Sequence, residues 1–166
     1  MTFSALVLTG LLFAQTAPPV EQKPILKRGL EATGLIHGDS ASKLSYIVNF
    51  DHPEKRTRTV YVAVTPVTVG ELKQHAIYTS VWSAGGPAPS GELVSKVFAM
   101  SKKTGHFYLF KDSKGNFDLR FGVHFDELEL SAEPKATDPS VMRLKDLIYF
   151  VNQVGEETYQ LIKNEK

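Results

Sequence analysis

The chain has 166 residues, 42% of them hydrophobic and 10% aromatic, which is enough to bury the core of one domain. Its 19 basic residues stand against 18 acidic ones, a formal charge of +1, so it lacks the field that gathers nucleic acid or anionic membranes. Because it contains no cysteine, disulfides, thiol catalysis and thiolate metal sites are excluded together.

The first element in chain order is the apolar run from Ala5 to Ala14, inside Met1 to Ala17. It has the length of a secretory h-region and is too short to span a bilayer comfortably. Small and polar residues follow, then Pro18 and Pro19. The expectation is an export signal over residues 1–17, no stable membrane span once it is removed, and a single α+β domain over 18–166. An uncleaved anchor or a buried N-terminal helix is the alternative reading. No cysteine follows the run, so lipid anchoring is ruled out.

From Val20 the pattern becomes that of an amphipathic helix. Pro24 sits in a first turn that tolerates proline, Ile25, Leu26 and Leu30 recur at helical spacing, and Gly34 can end it. His37-Gly38-Asp39-Ser40 reads as a turn: it holds the residue types of a hydrolase, but triad members come from separate segments. Three strands are predicted next. Leu44, Tyr46, Val48 and Phe50 alternate in the first, and Val60, Val62 and Val64 in the second, joined by the charged turn Asp51 to Arg56 as a hairpin. Pro66 marks a strand end or bulge. In the third, Ile77, Thr79 and Val81 share one face and Tyr78, Ser80 and Trp82 the other.

The stretch Ala84-Gly85-Gly86-Pro87-Ala88-Pro89 breaks any helix or central strand. Ser90 then offers an N-cap to a helix with apolar Leu93, Val94, Val97, Phe98 and Met100, ending near Gly105. A second hairpin follows, with Gly115 in the left-handed position of its turn. Phe107 and Leu109 then share a face with Leu119 and Phe121, and Tyr108, Phe110, Asp118 and Arg120 point the other way. That second face is more aromatic than a solvated one requires, which implies a cover. After a mixed loop over Glu127 to Thr137, Asp138 and Pro139 announce a helix as cap and N1 residue. Leu144, Leu147, Ile148, Val151, Val154 and Ile162 give its apolar face, Gly155 weakens its middle, and Lys163 to Lys166 fray.

The residues carrying chemistry are sparse. His124 and Asp126 share a strand face as two metal ligands would, but no third ligand is identifiable. His52 and His75 lie beside turns, where solvated histidine is ordinary. Asp126, Glu127 and Glu129, like Glu156 and Glu157, read as solvated acids rather than an acid/base pair. Gly85-Gly86-Pro87 cannot cradle phosphate, and Lys102-Lys103 and Lys111 to Lys114 are solubility features. No catalytic, cofactor or metal site is assigned. Trp82 reads equally as part of a binding cleft or as a core lid.

The order helix, three strands, helix, two strands, helix resembles the type III secretion chaperone-like fold, in particular the YbjN-like domain family of bacteria. The likeness rests on Tyr46 to Phe50 with Thr59 to Val62, on Tyr78 to Trp82, on the helix after Ser90, on Phe107 to Phe110 with Asp118 to Phe121, and on the closing helix. It implies an antiparallel sheet packed by helices and a protein-binding or chaperone-like role. The expected function is therefore that of an exported bacterial protein, periplasmic or secreted. It would act as a non-catalytic binding module without a cofactor, with an unknown protein partner or a second copy of itself, and with no nucleic acid. The expected interaction surface is Tyr78, Trp82, Tyr108, Phe110 and Arg120. The alternative is a small exported enzyme or ligand carrier with a site between sheet and C-terminal helix, using His106, Tyr108, Arg120 or His124.

Overall fold

The computed structural model describes residues 23–84, 90–100, 104–112 and 114–164. The segment read as an export signal, the Gly/Pro connector at 85–89, Lys102-Lys103 and the last two residues of the tail lie outside them.

Among the described residues, seven strands and three helices are formed. Helix α1 (Ile25–Ala32) is followed by β1 (His37–Asp39), β2 (Ser45–His52), β3 (Arg56–Ala63), β4 (Val67–Val69) and β5 (Leu72–Ala84). Then come α2 (Gly91–Ala99), β6 (His106–Lys111), β7 (Phe117–Asp126) and α3 (Pro139–Asn164), with single 3-10 turns at Pro53–Lys55 and Glu127–Glu129. The sheet is antiparallel in the order β1-β2-β3-β5-β7-β6, with β4 folded back on β5. The α+β class and the antiparallel sheet are as expected. Two short strands are added to the expected order. His37-Gly38-Asp39, read as a turn, is an edge strand that pairs with Tyr46 to Val48, and Val67–Val69 pairs with Leu72 to Gln74 across a turn at Gly70.

Local chemistry explains most boundaries. Gly34, at φ +73°, leaves α1 in the left-handed conformation that suits glycine. Ser90 Oγ accepts from the Leu93 N–H and so caps α2. In the β6–β7 turn Gly115 takes φ +87°, as expected, while Asp112 Oδ1 accepts from the N–H groups of Lys114 and Asn116. Asp138 behaves differently from the expected cap: its carboxylate accepts from Ser131 Oγ and Lys135 N–H and so ties down the loop before α3.

One face of the sheet carries Val48, Val60, Val62, Ile77, Leu119, Phe121, Val123 and Phe125, all buried. Helix α3 lies across it with Val141, Leu144, Ile148, Val151, Val154 and Ile162, flanked by Leu26 and Leu30 of α1. Each such side chain contributes about 1.5–3 kcal/mol when fully buried. Helix α2 packs beside β6 on the same side, through Val97 and through Phe98 against the Phe107 ring. Gly155 lets α3 approach the sheet closely. A Cβ there would stand 2.6 Å from Thr79 Cγ2 and 3.2 Å from Arg58 Cδ. Among the described residues, no helix is long and apolar enough to cross a membrane.

Candidate functional site

Two regions gather polar and aromatic side chains, and both follow from how β3, β5 and β7 are paired. The first is the outer face of the sheet. Tyr61 lies opposite Tyr78, Tyr78 opposite Gly122, Ser80 and Tyr108 each opposite Arg120, and Phe110 opposite Asp118. This register stacks the Tyr61 and Tyr78 rings 5.2 Å apart at 15°. The Arg120 guanidinium sits 3.8 Å from the centre of the Phe110 ring and 4.7 Å from that of Tyr78, close enough for cation–π attraction. Asp118 fixes it, accepting from Arg120 Nε at 2.6 Å and from Ser80 Oγ. Gly122 is what lets the rings meet, because a Cβ there would stand 3.2 Å from Tyr108 Cε1. Burial raises the phenol pKa of both Tyr108 and Tyr61. At the rim His106 stacks on His124 at 5.7 Å, and burial, with His106 adding to it, lowers the pKa of His124.

Four of the five expected surface residues, Tyr78, Tyr108, Phe110 and Arg120, thus form one cluster. Trp82 does not join them. The β5–β7 register shifts between Ser80 and Trp82, so that Trp82 lies opposite Leu119, a residue of the helix-covered face. The extra residue of a bulge turns every later side chain over. His106, Tyr108, Arg120 and His124, offered as residues of a site between sheet and C-terminal helix, lie on the outer face instead.

The second region is where β3 and β5 part. Their register is only three pairs long, Val60 with Thr79, Tyr61 with Tyr78 and Val62 with Ile77. Beyond each end, side chains take the backbone carbonyls that a longer ladder would have used. Thr79 Oγ1 donates to Thr59 O at 2.8 Å and Arg58 Nη1 to Ser80 O at 3.0 Å, while His75 Nδ1 lies 2.8 Å from Ala63 O at the other end. The Arg58 end opens into a cleft of about 490 Å³ between the two strands and the last turns of α3, lined by Arg56, Arg58, Trp82, Tyr159, Ile162 and Lys163. Compared with known proteins, the chain matches no family model, no curated protein and no solved structure.

The cleft wall is an ion cluster. Arg56 Nη2 donates to both oxygens of Glu156, at 2.6 and 2.7 Å, and stacks its guanidinium 3.9 Å above the Tyr159 ring. Arg58 Nη2 reaches Glu156 at 3.4 Å. On the far side His52 lies 3.0 Å from Asn152 Oδ1 and 3.5 Å from Glu156. Burial opposes ionisation of Glu156, but hydrogen bonds from Arg56 and Gln160 and the charges of Arg56 and His52 outweigh it, holding the carboxyl at about 2. Burial lowers the pKa of Arg58, against the pull of Glu156. The Nε atoms of Arg56 and Arg58 are buried without a hydrogen-bond partner among the described residues. Lys163 Nζ is held by Glu54 at 2.7 Å.

These contacts correct three expectations. His52 and His75 are not solvated: His75 is 1% exposed, its Nε2 2.9 Å from Glu127. Glu156 is no surface acid. Glu127, read as a solvated acid, meets His75, while Asp126 accepts from Leu128 N–H and the exposed Glu129 pairs with Arg143 at 2.8 Å. Alternation carried the missing signal, since Arg58 precedes Val60 by two residues and His75 precedes Ile77 by two.

Proposed function

We propose that the chain is an exported bacterial protein with the type III secretion chaperone-like fold of the YbjN-like family. It acts as a non-catalytic, protein-binding or chaperone-like module of the cell envelope. The observation that supports this best is the outer sheet face. No described helix lies over it, and its centre holds Tyr61, Tyr78, Tyr108 and Phe110 around an Arg120 already fixed by Asp118. Aromatic rings and arginine are the residues that dominate protein interfaces. A guanidinium pinned in advance loses little freedom on docking.

The face is self-complementary in type, so a second copy is one partner it would accept. Cross-linking mass spectrometry on the native protein recovered from its host, with light scattering on the purified chain, tests the proposal. Cross-links should map to β5, β6 and β7, and Phe110→Ser, at a ring 41% exposed, should abolish them without changing the melting temperature. Cross-links confined to the helical side, or unchanged in the variant, would refute it. The mature N-terminus read in the same experiment tests export.

A further inference from the structure

We propose that the cleft where β3 and β5 diverge is a binding site for a singly charged carboxylate. This goes beyond the docking face, which the cleft borders at Tyr61 and Ser80. Three observations support it.

First, the cleft is built into the sheet. Strand backbone groups alternate in direction, and the carbonyls of Thr59 and Ala63 both turn toward β5, meeting Thr79 and His75. The N–H and C=O of Thr57, two residues before Thr59, therefore point into the opening, where β3 has no register partner on β5. Second, two guanidinium groups line the cleft side by side, that of Arg58, only 6% exposed, and that of Arg56. Arg56 Nη2 and both terminal nitrogens of Arg58 are engaged by Glu156 and Ser80, and Tyr159 stacks under Arg56, so both guanidinium groups are held in place before any ligand arrives. Third, the charged lining of the cleft is cationic: Arg56, Arg58 and Lys163 line it, whereas Glu156 and Glu54, which pair with them, do not. Because those carboxylates already offset much of the charge, a single further negative charge suits the cleft better than a dianion in a half-enclosed space. Guanidinium groups also match a carboxylate's two oxygens.

At about 490 Å³ the cleft has the size of a small-ligand site, and Trp82 and Ile162 supply an apolar wall for whatever carries the carboxylate. The carrier is either a small organic acid or the C-terminus of an extended peptide, which Thr57 could also pair with as a strand.

Trp82 is the one tryptophan of the chain, so tryptophan fluorescence, excited beyond the tyrosine absorption band, reports on this cleft. The full chain is titrated with benzoate, benzamide and phenyl phosphate, and with a tryptophan-free tetrapeptide as its C-terminal acid and as its amide. Benzoate or the peptide acid should give a saturable change at concentrations on the order of millimolar, and the neutral amides should not. Saturation by benzoate assigns a small acid, and saturation by the peptide acid alone assigns a chain terminus. Lys163→Gln and Arg58→Lys should each weaken binding about tenfold. Since Lys163 is exposed, its variant tests the site even if Arg58→Lys does not fold. The proposal is overturned if neither acid saturates, if the amides bind equally well, if phenyl phosphate binds tighter than benzoate, or if folded Lys163→Gln binds as the wild type does.

Discussion

Replacing Glu156 by glutamine removes one charge and almost no volume, and the consequence can be worked out in two independent ways. The carboxyl is held at about 2 against an ordinary 4.5, and each unit is worth about 1.4 kcal/mol, so its ionised form stabilises the fold by about 3 kcal/mol at neutral pH. Alternatively, Arg58, with a side chain 5% exposed, would keep its buried charge and lose its counter-ion, which costs about 3–5 kcal/mol. The two routes meet near 3 kcal/mol. The pH dependence follows in sign. A depressed carboxyl pKa gives stability that is fully present above the unfolded value and lost as pH falls through the folded one. The wild-type advantage over Glu156→Gln should therefore hold above about pH 4.5 and shrink to nothing by about pH 2. Urea unfolding of both proteins at a series of pH values measures it. A difference below about 1 kcal/mol at pH 7, or one that stays constant down to pH 2, would refute the reasoning.

Gly155→Ala gains up to about 1 kcal/mol of helix propensity. It also drives a methyl to 2.6 Å from Thr79, whose hydroxyl is held by Thr59 O, so overpacking of about 1–3 kcal/mol wins and the midpoint of denaturation falls. His75→Leu strands Ala63 O and leaves the Glu127 carboxylate only Lys73, 3.9 Å away, a loss of about 1–3 kcal/mol visible in thermal melting. Ser90→Ala removes the cap of α2 and should cost about 1 kcal/mol, read as faster amide exchange at Leu93 with the sheet amides unchanged.

Much of the sheet was readable because alternation is a local signal. Val48, Val60, Val62, Ile77, Leu119 and Phe121 fall on the inner face as their spacing requires. Trp82 could not be placed that way. The bulge before it is a mismatch between β5 and β7, a relation between two segments that neither one displays. Arg58 and His75 are a different kind of miss. Their spacing put them on the inner face, but His75 read as a solvated histidine beside a turn and Arg58 was given no role. A charged side chain on an inner face is costly unless it meets a partner, and β3 and β5 supply partners by ceasing to pair at both ends of a three-residue ladder. Arg58 takes Ser80 O at one end and His75 takes Ala63 O at the other. The polar residues that break the apolar alternation are thus the ones that close off the ladder, and the cleft is where it stops. A charged residue in phase with a buried strand face therefore marks the place where that strand parts from its neighbour, which is where this fold has room for a ligand.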